Sequence, residues 1–218
     1  ISDEYSNYLL KTLNNSKLFE NVKVETNDNG FIISIIEFVN INKIYFRNNE
    51  RLDDEELLDY AKQLNLINMN PNKIDEYIFE VTKIYESFGY NNIEINYSSK
   101  INDKTNLADL TIDIAEGKIT KIKNIIFSGN SSVSSNELRS IINSKTKTLV
   151  NIFANNNFKK FNIDNDRRLL KNYYINKGYV DIQIDYSIEF LKSNKVNLYF
   201  YIQEGDLYKY KEISFLDT

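Results

Sequence analysis

The feature that most limits what this chain can fold into is a phrase it writes twice. ESFGYNNIEINYS, beginning at Glu86, returns as INKGYVDIQIDYS, beginning at Ile175, 89 positions later. The correspondence is positional: Gly89 with Gly178, Tyr90 with Tyr179, Ile93 with Ile182, Ile95 with Ile184 and Tyr97 with Tyr186. Farther on, Ala108 to Phe127 aligns with Val196 to Phe215 at a spacing of 88, so that Glu116-Gly117 meets Glu204-Gly205. Similarity at a fixed spacing marks a tandem array in which each copy is one supersecondary unit.

One copy can be read element by element. NINKIYFRNN, from Asn40, places Ile44 and Phe46 on one face of a short strand and ends in polar turn residues. Asp53 stands where an N-cap belongs and Glu56 follows three residues on, the capping-box spacing that satisfies free N–H groups at a helix start. Ile74, Ile78, Val81, Ile84, Tyr85 and Phe88 then recur every three or four residues, an apolar stripe on a second helix. Gly89 ends that helix in a left-handed conformation, where Asn is expected to be tolerated better than Val. Two strands close the copy, with Ile93, Ile95 and Tyr97 alternating with Glu94 and Asn96, and Leu110, Ile112 and Ile114 with Thr111 and Asp113.

The next copy keeps this order, with a second capping box from Ser134 to Glu137 and Gly178 as the stop. Its spacing from the first grows from 81 at Phe46 and Phe127 to 89 at Ile74 and Ile163, so eight residues are inserted between its helices. The inserted stretch carries Leu149, Val150, Ile152, Phe153, Phe158 and Phe161, and two readings stand: padding for the core, or an exposed apolar contact.

The expected fold class is α+β, a tandem array of small βααββ units, each a three-stranded mixed sheet covered on one face by two helices. The expected divisions are a partial unit (C-terminal half) over 1–38, a complete unit over 39–117, and a complete unit with the inter-helix insertion over 118–206. Residues 207–218 are expected to open a further, truncated unit, as in a fragment of a longer polypeptide. Gly89, Gly117, Gly129, Gly178 and Gly205 are expected to make the structural turns.

Composition enters through what it removes. With no His and no Cys, imidazole or thiolate zinc sites, thiol nucleophiles, Ser-His-Asp triads and disulfides are all excluded. A net charge of -4 argues against a nucleic-acid partner. The acidic run Asp53 to Glu56 lacks the glycine and spacing of a calcium loop and reads as a helix start. We therefore expect no catalytic residue, no cofactor and no metal, and no apolar run approaches the ~18 residues of a membrane helix.

The residues now resemble a known family. The order βααββ, the strand-ending FSGN of Phe127 to Asn130, the Y-x-x-x-G-Y of Tyr85 to Tyr90 and Tyr174 to Tyr179, and the closing EG resemble POTRA (polypeptide-transport-associated) domains. RRLLKNYYINKGYVDIQI and EGDLYKYKEISF are similar to the arm of BamA-like outer-membrane β-barrel assembly factors. Two departures stand out: FRNN at Phe46 to Asn49 lacks the glycine, and IIEFVN at Ile35 to Asn40 lacks the EG turn.

The resemblance implies a non-enzymatic role in the periplasm, attached to the outer membrane through a C-terminal barrel of the full-length protein. It also implies partners: unfolded outer-membrane proteins, bound by β-augmentation, and accessory assembly lipoproteins. In the family the first strand of the closing hairpin lies at a sheet edge. That places the partner-binding edge here at Val180, Asp181, Ile182, Gln183, Ile184, Asp185, Tyr186 and Ser187. A second candidate edge falls at Asn92, Ile93, Glu94, Ile95, Asn96 and Tyr97. POTRA modules of two-partner secretion transporters or cell-division proteins are an alternative setting. A small α+β enzyme is a further one, for which the sequence offers no convergent constellation.

Overall fold

The computed structural model describes residues 3–27, 30–147 and 154–209. They fall into two compact units, the first drawn from 1–84 and 93–116, the second from 85–92 and 117–218.

The first unit opens with helix α1 (Asp3–Asn15) and the antiparallel strands β1 (Asn21–Asn27) and β2 (Gly30–Ile36), paired from Asn21 opposite Ile36 to Asn27 opposite Gly30. Asp28 and Asn29, which link these two strands, lie outside the described residues. There follow β3 (Asn40–Arg47), α2 (Asp54–Gln63), α3 (Pro71–Phe88), β4 (Glu94–Asn102) and β5 (Leu107–Ala115). The second unit repeats that order with β6 (Lys121–Ser128), α4 (Ser135–Ile141), α5 (Lys160–Asn176), β7 (Gln183–Leu191) and β8 (Lys195–Gln203).

Each three-stranded sheet puts its last strand in the middle, in the orders β3-β5-β4 and β6-β8-β7. The first strand runs parallel to the central one and the hairpin strand antiparallel, so both sheets are mixed. A parallel neighbour requires a long crossover, and the two helices supply it. Both first strands slip register at the same place, between Ile41 and Lys43 and between Ile122 and Asn124.

Burial follows period two on the central strands. Ala108, Leu110, Ile112 and Ile114 of β5 and Val196, Leu198, Phe200 and Ile202 of β8 are buried on the side that faces the core. Each large apolar side chain so buried contributes about 1.5–3 kcal/mol. On α3 the buried stripe is Ile74, Tyr77, Val81 and Tyr85, and Ile78, Ile84 and Phe88 flank it half-buried. Tyr77 joins the core because its hydroxyl donates to the Leu57 carbonyl at 3.0 Å, which satisfies the phenol.

At the position 89 residues later, the second unit has Asp166, also buried. Helix α4 has only seven residues, and the chain just beyond it presents the N–H groups of Asn143 (2.6 Å) and Ser144 (3.2 Å) to the Asp166 carboxylate. Burial pushes the Asp166 carboxyl above the usual range, and the hydrogen bonds from Ser144 and Asn143 pull the other way without cancelling it. Of the inserted stretch, Phe158 lies in the core with Leu138, Leu170 and Phe200, while Phe161 is exposed. Both readings of the insert thus hold in part, and Leu149, Val150, Ile152 and Phe153 lie outside the described residues.

The helix ends explain the motifs. Asp53 accepts from the Glu56 N–H at 2.8 Å and Glu56 accepts from the Asp53 N–H at 3.0 Å, a complete capping box. The second box is only half made. Ser134 accepts from the Glu137 N–H at 3.2 Å, but the Glu137 carboxylate turns instead to the Tyr173 hydroxyl and to Lys177 Nζ, which hold its pKa below the usual carboxylate range.

Y-x-x-x-G-Y is a Schellman close. Tyr90 N–H donates to Tyr85 O and Gly89 N–H to Glu86 O, as Tyr179 donates to Tyr174 and Gly178 to Ile175. The hydrophobic contact that accompanies this motif is an edge-to-face ring pair, Tyr85 with Tyr90 and Tyr174 with Tyr179, each at 5.8 Å. Gly89 and Gly178 have φ of +104° and +99°. These lie beyond the left-handed well near +57° that Asn favours. A Cβ on Gly178 would moreover sit 2.5 Å from the Tyr208 carbonyl oxygen, an overlap that Asn would share with Val and that adds to the backbone strain there.

The glycine of FSGN, Gly129, has no room for any side chain, because a Cβ would lie 2.0 Å from the Ile202 carbonyl oxygen. Its counterpart in FRNN is Asn48, held at φ +61° with its amide donating to Asp113 at 3.0 Å, which is how that copy manages without glycine. Gly117 and Gly205 also have positive φ. Among the described residues no helix is long and apolar enough to cross a membrane.

Candidate functional site

Each three-stranded sheet has two outer strands, and the chain treats them differently. The outer side of β3 is taken up at its start, where Ile41 N–H donates to Ile67 O at 2.9 Å and Met69 N–H to Val39 O at 2.8 Å. In the second unit Ile122 N–H donates to Asn156 O at 2.7 Å and Phe158 N–H to Thr120 O at 2.8 Å. In both units the segment between the helices lays a short antiparallel rung on the first strand, and the buried ring of Phe158 pins the second of them. Among the described residues no backbone hydrogen bond reaches the outer side of β4 or β7. Unpaired N–H and C=O groups in a row are a template for another strand.

The structure places the expected edge residues in two groups. Gln183, Ile184, Asp185, Tyr186 and Ser187 lie in β7, and Glu94, Ile95, Asn96 and Tyr97 in β4, and both strands run on, to Leu191 and Asn102. Val180, Asp181 and Ile182, with Asn92 and Ile93, precede the strands, which corrects the expectation for those five. The reason is local: after the Schellman glycine the chain must reverse. Asp181 is held in that turn by the Tyr208 hydroxyl at 2.8 Å, and its Cβ lies 3.0 Å from where a Cβ on Gly205 would be.

Along β7 the side chains alternate as expected. Ile184 is buried, Tyr186 and Ile188 are half-buried, and Gln183, Asp185, Ser187 and Glu189 are exposed on the other face. There Glu189 accepts from Asn197 Nδ2 at 2.7 Å and from the Tyr199 hydroxyl at 2.9 Å, bonds that hold its carboxyl below the usual range.

Beside the open edge lies a cleft of about 550 Å³, walled by α5 on one side and by 182–185 on the other. Asp164, Arg167, Arg168 and Lys171 form the helix wall. Their spacing of three, four and seven residues sets them on one helix face. Arg167 Nη2 lies 3.5 Å from Asp164 Oδ1, and its guanidinium carbon is 5.8 Å from the Tyr186 ring centre, so the helix leans over the strand through that side chain. Arg168 Nη2 donates to Asn165 Oδ1 at 2.7 Å. Sequence reasoning missed this wall, although its helical spacing was present in DNDRRLLK, from Asp164 to Lys171.

The paired glutamates of the EG motif were also missed as more than turn markers. Glu116 Oε1 accepts from the backbone N–H groups of Glu50 and Arg51, both at 2.7 Å, tying the end of β5 to the loop after β3. Glu204 does the same for Ser132 N–H, at 2.9 and 3.1 Å, and also accepts from the Tyr174 hydroxyl at 3.0 Å. Burial, and then this bond, raises the Tyr174 pKa far above a free phenol's. Of the acidic run, Asp53 and Glu56 make the capping box and Asp54 accepts from Asn49 Nδ2 at 2.9 Å, and among the described residues no group of three or more His, Cys, Asp or Glu is placed to hold a metal.

The POTRA family profile, described as a surface antigen variable number repeat, matches residues 39–117 and 120–205. The outer membrane protein assembly factor BamA of Neorickettsia risticii (strain Illinois) is 24% identical over 217 residues, covering 98% of this chain and 29% of the relative. BamA of Neisseria meningitidis serogroup B (strain ATCC BAA-335 / MC58) is 24% identical over 220 residues, covering 98% of this chain and 27% of that protein. The chain thus spans under a third of the length of these relatives. Among solved structures, POTRA3-5 of Haemophilus influenzae BamA matches with a TM-score of 0.51 at 12% identity, covering 90% of this chain and 79% of that one, a likeness of fold. The profile covers most of the sequence in two consecutive copies, and the chain belongs to the POTRA family.

Proposed function

We propose that the chain is part of the periplasmic POTRA arm of an outer-membrane protein assembly factor. It holds unfolded barrel-protein segments by strand addition at β7, and secondarily at β4, and offers the same kind of edge to accessory lipoproteins. Residues 39–117 and 118–206 are its two complete units, and the role is one of binding, without catalysis or cofactor. The observation that carries this reading is the asymmetry of the edges: the chain lays its own backbone on the starts of β3 and β6, while among the described residues no backbone hydrogen bond reaches the outer sides of β4 and β7. Main-chain pairing gives affinity with little demand on sequence, which suits a protein that must hold many different strands. Membership of the family and the names of the two relatives supply the setting.

A photo-crosslinking residue at Gln183 or Asp185 tests the reading against one at Lys123, on the opposite outer strand β6. Capture of an outer-membrane-barrel peptide from 183 and 185 but not from 123 is the expected result. Equal capture from all three positions would overturn the edge assignment.

A further inference from the structure

If a strand adds to β7, its side chains must alternate between two environments, and these differ in charge. On the helix side the added strand enters the cleft, whose helix wall sets Arg167, Arg168 and Lys171 against the single carboxylate of Asp164, already 3.5 Å from Arg167. On the other side its neighbours are Asp185, which borders the cleft but alternates with the buried Ile184 and so faces away from the helix, and Glu189, whose carboxylate also accepts from Asn197 and Tyr199. Facing side chains on adjacent strands have Cβ atoms about 4.5–5.5 Å apart, close enough for opposite charges to stabilise and like charges to repel.

Resting on the strand-addition reading, we propose that the β7 edge selects its occupant by alternating charge. It takes an extended peptide whose acidic side chains, at every second position, point toward α5, and whose intervening basic side chains lie beside Asp185 and Glu189. Both contributions come from this chain's own residues, and neither follows from the fold, because the first unit lacks them. Moving back 89 positions from Asp164, Arg167, Arg168 and Lys171 gives Asp75, Ile78, Phe79 and Thr82, an uncharged wall apart from one aspartate, with the Phe79 side chain 58% exposed. Asp185 and Glu189 become Asn96 and Lys100 on β4. The same backbone edge is therefore offered twice with different side-chain surroundings. The one at β4 suits apolar side chains on its helix face, and the one at β7 suits a strand of alternating sign.

Two ten-residue peptides of equal composition separate the charge pattern from charge itself: five repeats of Glu-Lys, and a block of five Glu followed by five Lys. Only the first can satisfy both faces at once, in the registers that turn its Glu residues toward α5, since a slip of one residue exchanges its two faces. Titrated by fluorescence anisotropy against the 218-residue chain at low salt, the alternating peptide is expected to bind about tenfold more tightly than the block. The gap should narrow in 0.5 M salt, where screening acts over about 4 Å. Arg167→Glu/Arg168→Glu/Lys171→Glu should abolish the preference, and Asp185→Lys, on the other face, should reduce it if the triple variant fails to fold. A third probe, the alternating peptide N-methylated at every amide, tests the reading beneath. If methylation abolishes binding but alternating and block peptides bind equally, the charge selection is wrong and strand addition stands. If the methylated peptide binds as tightly as its parent, strand addition itself is wrong.

Discussion

A β-carbon placed on either Schellman glycine asks what each glycine is for. Gly89 and Gly178 share the motif and nearly the same φ, so conformational strain alone predicts equal losses of about 1–2 kcal/mol for Ala at either site. Their surroundings differ. A Cβ at 89 would lie 3.1 Å from Ile119 Cγ2, the end of a side chain that can shift by a few tenths of an ångström. At 178 it would meet the Tyr208 carbonyl oxygen at 2.5 Å and Leu207 Cδ1 at 3.0 Å, and backbone must move. That movement breaks the hydrogen bond from Tyr208 N–H to Gly178 O, 2.9 Å long, at a further cost of about 0.5–1.5 kcal/mol. Gly178→Ala should therefore lose about 2–3 kcal/mol against about 1–2 for Gly89→Ala. Gly178→Asn should fare no better than Ala, because the overlap is made by Cβ, which both carry. Urea unfolding followed by circular dichroism measures these differences. Equal losses at the two sites, or a Gly178→Asn variant as stable as the parent, would show that close approach of the 207–208 backbone is not what the glycine serves.

Glu204→Ala removes the acceptor of Ser132 N–H and of the Tyr174 hydroxyl together, and should cost about 2–3 kcal/mol in urea unfolding, with Tyr174→Phe losing about 1. Asp166→Asn should flatten the pH dependence of stability. Because burial raises the Asp166 pKa, the folded chain holds that proton more tightly than the unfolded chain does. Its contribution is thus full below the unfolded value near ~3.9 and is lost as pH rises through the folded one. The stability of the parent relative to the Asn variant should fall across that rise, and a difference that grows with pH would contradict the buried-carboxylate account.

How much of this was legible in the chain depends on whether an interaction is local. The capping box at Asp53 and Glu56 and the stops at Gly89 and Gly178 rest on residues a few positions apart, and they are where spacing placed them. The alternation of Ile184, Tyr186 and their neighbours was equally readable, because period two on a half-buried strand writes itself into the residues. The start of β7 was not, since 180–182 are spent on a turn whose anchor, Tyr208, lies 27 residues from Asp181. The second capping box failed for a similar reason: Glu137 had better partners in Tyr173 and Lys177, invisible from the S-S-N-E spacing. Asp166 and Glu204 are anchors across 22 to 72 residues; the repeat gave a hint of Glu204, through Glu116 in the matching place, and none of Asp166, whose counterpart is Tyr77. The α5 wall could have been found by comparing helix faces between copies, where Ile78 and Phe79 become Arg167 and Arg168.

The central claim is that β7 accepts a strand on its outer side, and residue-resolved amide hydrogen exchange of the chain with and without a barrel-derived peptide tests it most directly. In an antiparallel pair alternate N–H groups point toward the neighbour, so along 183–191 half are already bonded to β8 and the other half face outward. The account predicts that peptide slows exchange at every second amide of β7, leaves the intervening ones unchanged, and leaves β6 untouched. Protection centred on α4, on the inter-helix segment or on β6, with β7 exchanging as it does alone, would contradict it.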